Sequence, residues 1–170
     1  MPSSKKSPKF KTFLTPSEKG GMFHYPHMDV PFDIADPLLG ESNLVRVIMH
    51  LENGAKLHRA LKRTKNGETR ISLGKSTLKQ AKINPDLELS LYLEIDETEF
   101  GFEMPEELAE VMRQDPEGDK AFRELKPGLQ RSFLHYIVSA KTVDTRIKRS
   151  LKLIDNLKQG IISAGTHRQG

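Results

Sequence analysis

The side chains here best equipped for chemistry are cations, and they fall in two groups. Between Ala55 and Lys82 nine basic residues (Lys56, Arg59, Lys62, Arg63, Lys65, Arg70, Lys75, Lys79 and Lys82) stand against one acid, Glu68. Between Lys141 and Lys158 there are six bases and two acids. The stretch between them is the reverse, with ten acids and a single base, Arg113, from Asp96 to Asp119. Guanidinium and ammonium groups hold phosphate, sulfate or carboxylate, so the chemistry on offer is the capture of an anion or of an acidic partner. The candidate contacts are Arg59, Lys62, Arg70 and Lys75 in the first group, and Lys141, Arg146 and Arg149 in the second. Arg146 and Arg149 lie about one helical turn apart and can grip one anionic group together. They can equally pair with the acidic stretch of their own chain. Arg59 sits between Leu57 and Leu61, on what an alternating strand makes its apolar face. A cation there contacts a ligand in an opening, turns outward at a bulge, or pairs with an acid such as Glu94.

Other chemistries find little support. Gly74-Lys-Ser-Thr77 resembles the end of a phosphate-binding loop, but that pattern needs glycine at position 69, which is Thr69. Only a weaker anion site survives there, from free amides at a helix start together with Lys75. His24 and His27 are separated by Tyr25 and Pro26. Pro26 opposes a helix, a strand would send the two rings to opposite faces, and no third ligand stands at a suitable spacing, so no metal is expected. Asp96, Glu97, Glu99 and Glu103 read as a solvated acidic link. The chain has no Cys, which removes disulfides, thiol nucleophiles and thiolate metal sites. The reading is a non-enzymatic protein without catalytic, cofactor or metal residues. Its expected partner is a protein or an anionic ligand. The alternative is nucleic acid, on the strength of the basic excess. Lys56–Lys82 has no aromatic residue to stack on bases, so such binding would be led by phosphate and weakened by salt.

The elements that must position these residues are legible from periodicity. From Asp86 to Asp96, Leu87, Leu89, Leu91, Leu93 and Ile95 alternate with polar residues, the pattern of a half-buried strand. Earlier strands are expected over Met22–Val30, Leu44–Leu51, Lys56–Arg63 and Glu68–Leu73. Asn53-Gly54 and Asn66-Gly67 are expected to form type I′ hairpin turns. Asp33–Leu39 suggests a helical turn broken at Pro37, and Ser76 is placed to cap a helix over Thr77–Ile83. After Pro105 the period changes to that of helices, with starts marked by Pro105, Asp115-Pro116, Lys126-Pro127 and Thr142. The last of these is expected to turn Ile147, Leu151, Ile154 and Leu157 inward. The fold class is therefore α+β: a small antiparallel β-barrel with one short helix, then a bundle of about four short helices. The divisions are a disordered basic arm (1–20), a barrel (21–96), an acidic linker (97–104), a helical domain (105–160) and a tail (161–170). No apolar run approaches the ~20 residues of a membrane span. Met1-Pro-Ser-Ser-Lys-Lys lacks the apolar core of a signal peptide, so a cytoplasmic protein is expected.

Several spaced residues agree in order with a known family. Met104-Pro-Glu-Glu-Leu, Asp115-Pro-Glu, Ala121-Phe122, Leu125-Lys-Pro127, Arg131-Ser-Phe-Leu-His-Tyr-Ile137, Ala140-Lys141 and Thr145-Arg-Ile-Lys-Arg149 resemble the helical domain of the bacteriocin-protection, YdeI or OmpD-associated family. Val30-Pro-Phe, Gly40, Val45-Arg-Val, Asn53-Gly54, His58-Arg59, Leu61, Lys75 and the leucine strand are similar to the small β-barrel domain of unknown function that often precedes it. The family often has Trp where this chain has Tyr136, and Ser where it has Lys126. The resemblance implies a bacterial, intracellular, non-enzymatic protein linked to envelope or antimicrobial-peptide stress.

Overall fold

The computed structural model describes residues 5–16 and 26–163. The chain divides into two compact units, Met1–Glu97 and Thr98–Gly170. The first carries a seven-stranded antiparallel sheet in the order β1-β7-β4-β5-β6-β3-β2. Its strands are β1 (Phe10–Thr12), β2 (Leu14–Thr15), β3 (His27–Asp29), β4 (Leu44–Leu51), β5 (Lys56–Arg63), β6 (Thr69–Ser72) and β7 (Leu89–Ile95). Only Phe13 separates β1 from β2, yet these strands are the two opposite edges of the sheet. The sheet is therefore rolled into a nearly closed barrel, and the Thr12 hydroxyl donates to the Asp29 carbonyl of β3 across the gap.

Alternation decides which side chains fill the interior. Val47, Met49 and Leu51 of β4 and Leu89, Leu91 and Leu93 of β7 are buried, together with Leu61 and Ile71. The intervening residues face outward and pair across strands. The His50 ring lies parallel to Tyr92 at 4.4 Å and meets the Glu94 carboxylate at 2.8 Å. His58 Nδ1 is 2.9 Å from the buried Asp96 carboxylate. The interior is closed further by α1 (Phe32–Leu39), which buries Ile34, Ala35, Leu38 and Leu39. Helix α2 (Lys75–Gln80) lies between β6 and β7 and buries Leu78.

Several expectations are corrected. Residues 5–16 are not a disordered arm. Phe10, Lys11 and Thr12 pair with β7, Leu14 and Thr15 pair with β3, and the Ser7 amide donates to the Leu93 carbonyl. The backbone of β7 offers free ladder positions, and a Lys/Ser/Pro-rich composition does not reveal that its residues can fill them. Among the described residues the barrel unit holds two helices rather than one, because α1 runs through Pro37 to Leu39. Proline removes the bond to the Asp33 carbonyl, which sits at an exposed residue, while the four buried residues hold the helix in place. Both Asn-Gly turns are three-residue loops. The Gly54 amide donates to Leu51 and the Gly67 amide to Thr64, while the only non-glycine with positive φ among the described residues is Lys82. This is a type I turn followed by a left-handed glycine, which needs positive φ only at the glycine. Ser76 is not a cap, since α2 begins at Lys75 after Gly74. The strand expected over Met22–Val30 is described only as His27–Asp29 within residues 26–30; Met22–Tyr25, including His24, lie outside the described residues.

The second unit contains α3 (Glu106–Gln114), α4 (Pro116–Arg123), α5 (Pro127–Val138) and α6 (Val143–Lys158). Helix α6 packs against each of the others. The Asp115 carboxylate caps α4 by accepting from the Gly118 amide at 2.9 Å, and Thr142 Oγ1 caps α6 through the Thr145 amide. Residues 98–104 belong to this core rather than to a free linker, because Phe100 is buried and meets Phe122 edge to face at 5.5 Å. Along α6 the inward face is Ser150, Leu153, Ile154 and Leu157, while Ile147 and Leu151 are exposed. Two apolar stripes fit the 3.6-residue period there, and Ser150 reaches the interior because it is small and donates to the Arg146 carbonyl.

Gly118 makes the α4–α6 approach possible: a Cβ placed on it would fall on Cγ2 of Ile154, deep inside van der Waals contact. Gly118→Ala should therefore destabilise by about 1–3 kcal/mol through overpacking, against the gain of about 1 kcal/mol that alanine usually brings to a helix. Gly128→Ala, with open space around it, should be neutral or stabilising. Thermal unfolding of both variants by circular dichroism checks this; equal shifts in the two would show that α4 and α6 are not in close contact.

Candidate functional site

A groove of about 520 Å³ opens on the helical unit, within the range of small-ligand and peptide-side-chain sites. Segment 98–104 forms one side, with Phe100, Phe102 and Met104. Helix α3 supplies Ala109 and Met112, and α4 supplies Asp119 and Arg123. Phe100 is held by Phe122 beneath it and by Arg123, whose guanidinium lies 5.7 Å from its ring centre. Phe102 meets the His135 ring edge to face. The apolar lining is thus anchored to the core rather than left to collapse.

The groove's charges are biased towards carboxylate. Its lining includes Glu99, Glu103 and Asp119 against Arg113 and Arg123. Both guanidiniums are already engaged. Arg123 donates to Asp119 at 2.9 Å and also pairs with Glu99. Arg113 donates to Glu110, whose carboxyl is held down at about 2 by Arg113 and Gln114. Glu103 is exposed and forms no ion pair among the described residues. The site therefore presents aromatic and thioether surface under a net negative edge. That combination attracts an apolar segment carrying positive charge. Sequence reasoning missed it by treating 97–104 as a solvated link; the signal was Phe100, Phe102 and Met104 inside an acidic run.

The cations singled out from sequence have mixed fates. Arg146 Nε donates to the Glu107 carboxylate of α3 at 2.7 Å. Arg149 lies 4.2 Å from the centre of the Tyr136 ring and donates to the Tyr136 carbonyl and to Ser139 Oγ at the end of α5. The two arginines therefore tie α6 to different helices. Lys141 is exposed. In the barrel unit, Lys62 and Arg70 are cross-strand neighbours on the outer face. Lys62 is exposed, and Arg70 donates to Glu68 at 2.9 Å. Lys75 is exposed at the start of α2.

Arg59 stands opposite Val47 in the β4–β5 ladder and so lies on the interior face, without a bulge. It is not paired with Glu94, which engages His50 and Lys6 on the outer face. The basic residues of Ala55–Lys82 are thus divided between two faces and do not form one continuous stripe. Among the described residues no group of three or more His, Asp or Glu is arranged to hold a metal. No described helix is long and apolar enough to cross a membrane.

Residues 101–160 match the model of the family described as Bacteriocin-protection, YdeI or OmpD-Associated. The match spans α3 to α6 and the Phe102–Met104 wall of the groove, and the barrel unit lies outside it. No curated protein matches the chain.

The Arg146–Glu107 pair makes a testable link between charge and stability. Arg146 holds the Glu107 carboxyl below its ordinary value. A depressed carboxyl stabilises the fold above its unfolded pKa, and that contribution is lost as pH falls through the folded one. Arg146→Gln should therefore unfold more easily than the natural chain near neutral pH. The difference should shrink below about pH 4, as glutamate protonates. Denaturant titrations at a series of pH values check this; a difference that stays constant to low pH would exclude the pair as its source.

Proposed function

We propose that the helical unit is a non-enzymatic binding domain that captures an apolar, positively charged segment, of the kind carried by a cationic amphipathic peptide. The observation that carries this reading is the groove itself, with Phe100, Phe102, Met104 and Met112 beside Glu103, Glu99 and Asp119. The aromatic and methionine side chains supply burial and adaptable contact. Glu103, which forms no ion pair among the described residues, favours cations over acidic competitors. The protective role named in the matching family's description fits such capture: a bound peptide has its apolar face covered and is withdrawn from other targets. The absence of Cys suits a reducing, cytoplasmic setting.

The test uses the whole chain and a labelled helical Lys/Leu peptide, with its Glu/Leu counterpart as control, followed by fluorescence anisotropy. The Lys/Leu peptide should bind and the Glu/Leu peptide should not, with affinity falling between about 20 and 150 mM salt. Ala109→Trp, which fills the groove from an exposed position, should weaken binding about tenfold or more, a loss of about 1.4 kcal/mol. Glu103→Lys should weaken it several-fold with an unchanged unfolding midpoint. Equal binding of both peptides, or full binding by Ala109→Trp, would overturn the reading.

A further inference from the structure

The barrel interior contains one group that its surroundings do not account for. Arg59 projects from the interior face of β5, between Leu57 and Leu61, and is part-buried. Burial lowers its pKa, and no carboxylate among the described residues opposes that effect. Its hydrogen-bond acceptors are neutral: Nη1 donates to the His58 carbonyl at 2.8 Å and Nη2 to Thr77 Oγ1 at 2.5 Å. A guanidinium has five N–H donors, so others are left over. Arg59 is only part-buried, and its spare donors are not sealed from solvent, so an anion arriving from solution can take them.

The neighbourhood is electropositive. Thr77 lies in α2, where Lys75 and Lys79 are exposed and form no ion pair among the described residues. The only acid between Ala55 and Lys82 is Glu68, and it pairs with Arg70 of β6. The nearby histidines and acids of β4, β5 and β7, namely His50, His58, Glu94 and Asp96, pair with one another on the other face of the sheet. Helix α2 has six residues, too short for its dipole to define a site, so the recognition rests on side chains.

We propose that the end of the barrel beside α2 binds a phosphate-bearing small molecule, with Arg59 as the central contact and Thr77 orienting its guanidinium. Phosphate fits better than carboxylate because its three terminal oxygens and higher charge can use the remaining guanidinium donors together. This site lies in the barrel unit and is independent of the peptide groove.

The experiment titrates the full chain with inorganic phosphate and, separately, with phenyl phosphate, replacing chloride at constant ionic strength. Phosphorus NMR reads binding directly, and thermal unfolding reads its effect on stability. Saturable line broadening is expected, with a rise of roughly 2–4 °C in the barrel unit's unfolding midpoint. Tighter binding of phenyl phosphate than of phosphate would identify an ester as the preferred form; the reverse would identify the free ion. Arg59→Met should abolish both effects while its own midpoint stays equal to or above that of the natural chain, because a part-buried charge that meets only neutral acceptors has been removed. Arg59→Lys should bind several-fold more weakly, since it keeps the charge and loses the fork. Lys62→Gln, on the outer face, should bind normally. Non-saturable broadening with the natural chain, or unchanged binding in Arg59→Met, would overturn the site. Either result would leave the peptide assay untouched.

Discussion

The barrel unit depends on a constraint of length. Thr12 ends a strand at one edge of the sheet, and Leu14 begins the strand at the other edge. Two residues of extended chain reach at most about 7 Å. Seven strands laid flat would separate those edges by nearly 30 Å. The sheet must therefore roll until its edges meet, and rolling creates an inside. The leucines of β7 can all be buried because β1 and β4 flank that strand on both sides. Without residues 10–15 the same strands would form an open sheet with the backbone of β7 exposed along one side.

An inside and an outside impose different conditions on polar groups. Outside, strand register sets His50 beside Tyr92 and within reach of Glu94, and places His58 near Asp96. Opposite charge and aromatic surface meet there across neighbouring strands. Inside, register sets Arg59 opposite Val47, and its hydrogen bonds go to the neutral His58 carbonyl and Thr77 Oγ1. One strand thus presents a histidine that meets a carboxylate and an arginine that meets only neutral acceptors at adjacent positions. The same alternation that builds the hydrophobic interior isolates the cation.

Much of this was legible. The alternation of β4 and β5 set their limits correctly, and the caps at Asp115 and Thr142 carry their expected hydrogen bonds. What failed had physical causes. Edge strands β1 and β2 contribute so few residues that composition outweighed periodicity. Proline in α1 was read as a break because its burial partners are distant in sequence. Along α6, a serine inward and two large aliphatics outward reverse the ordinary preference, and only the close approach at Gly118 explains why α6 sits as it does. The interior face of Arg59 followed from register once no bulge intervened, whereas its freedom from Glu94 required the outer pairing to be seen.

Charge blocks illustrate why partners matter more than local density. Arg146 and Arg149 form the most concentrated basic pair of the helical unit, yet each is bound to a neighbouring helix, one through a carboxylate and the other through a carbonyl and a ring. The charge of Arg146 is compensated within the unit, while that of Arg149 meets only neutral groups. The acidic stretch, by contrast, loses some of its charge to Arg113, Arg123, Arg146 and Lys158 and retains Glu103 beside the part-buried Phe102 and Met104 of the groove. A ligand responds to the charge that remains after internal pairing, because paired charges offer little net field at a distance. By that criterion the groove, rather than the helical unit as a whole, is the place proposed to accept cations. The barrel interior, where Arg59 meets no acid among the described residues, is the place proposed to accept anions. A single chain with a small net charge can therefore carry two sites of opposite preference, each defined by the partner its own fold withholds.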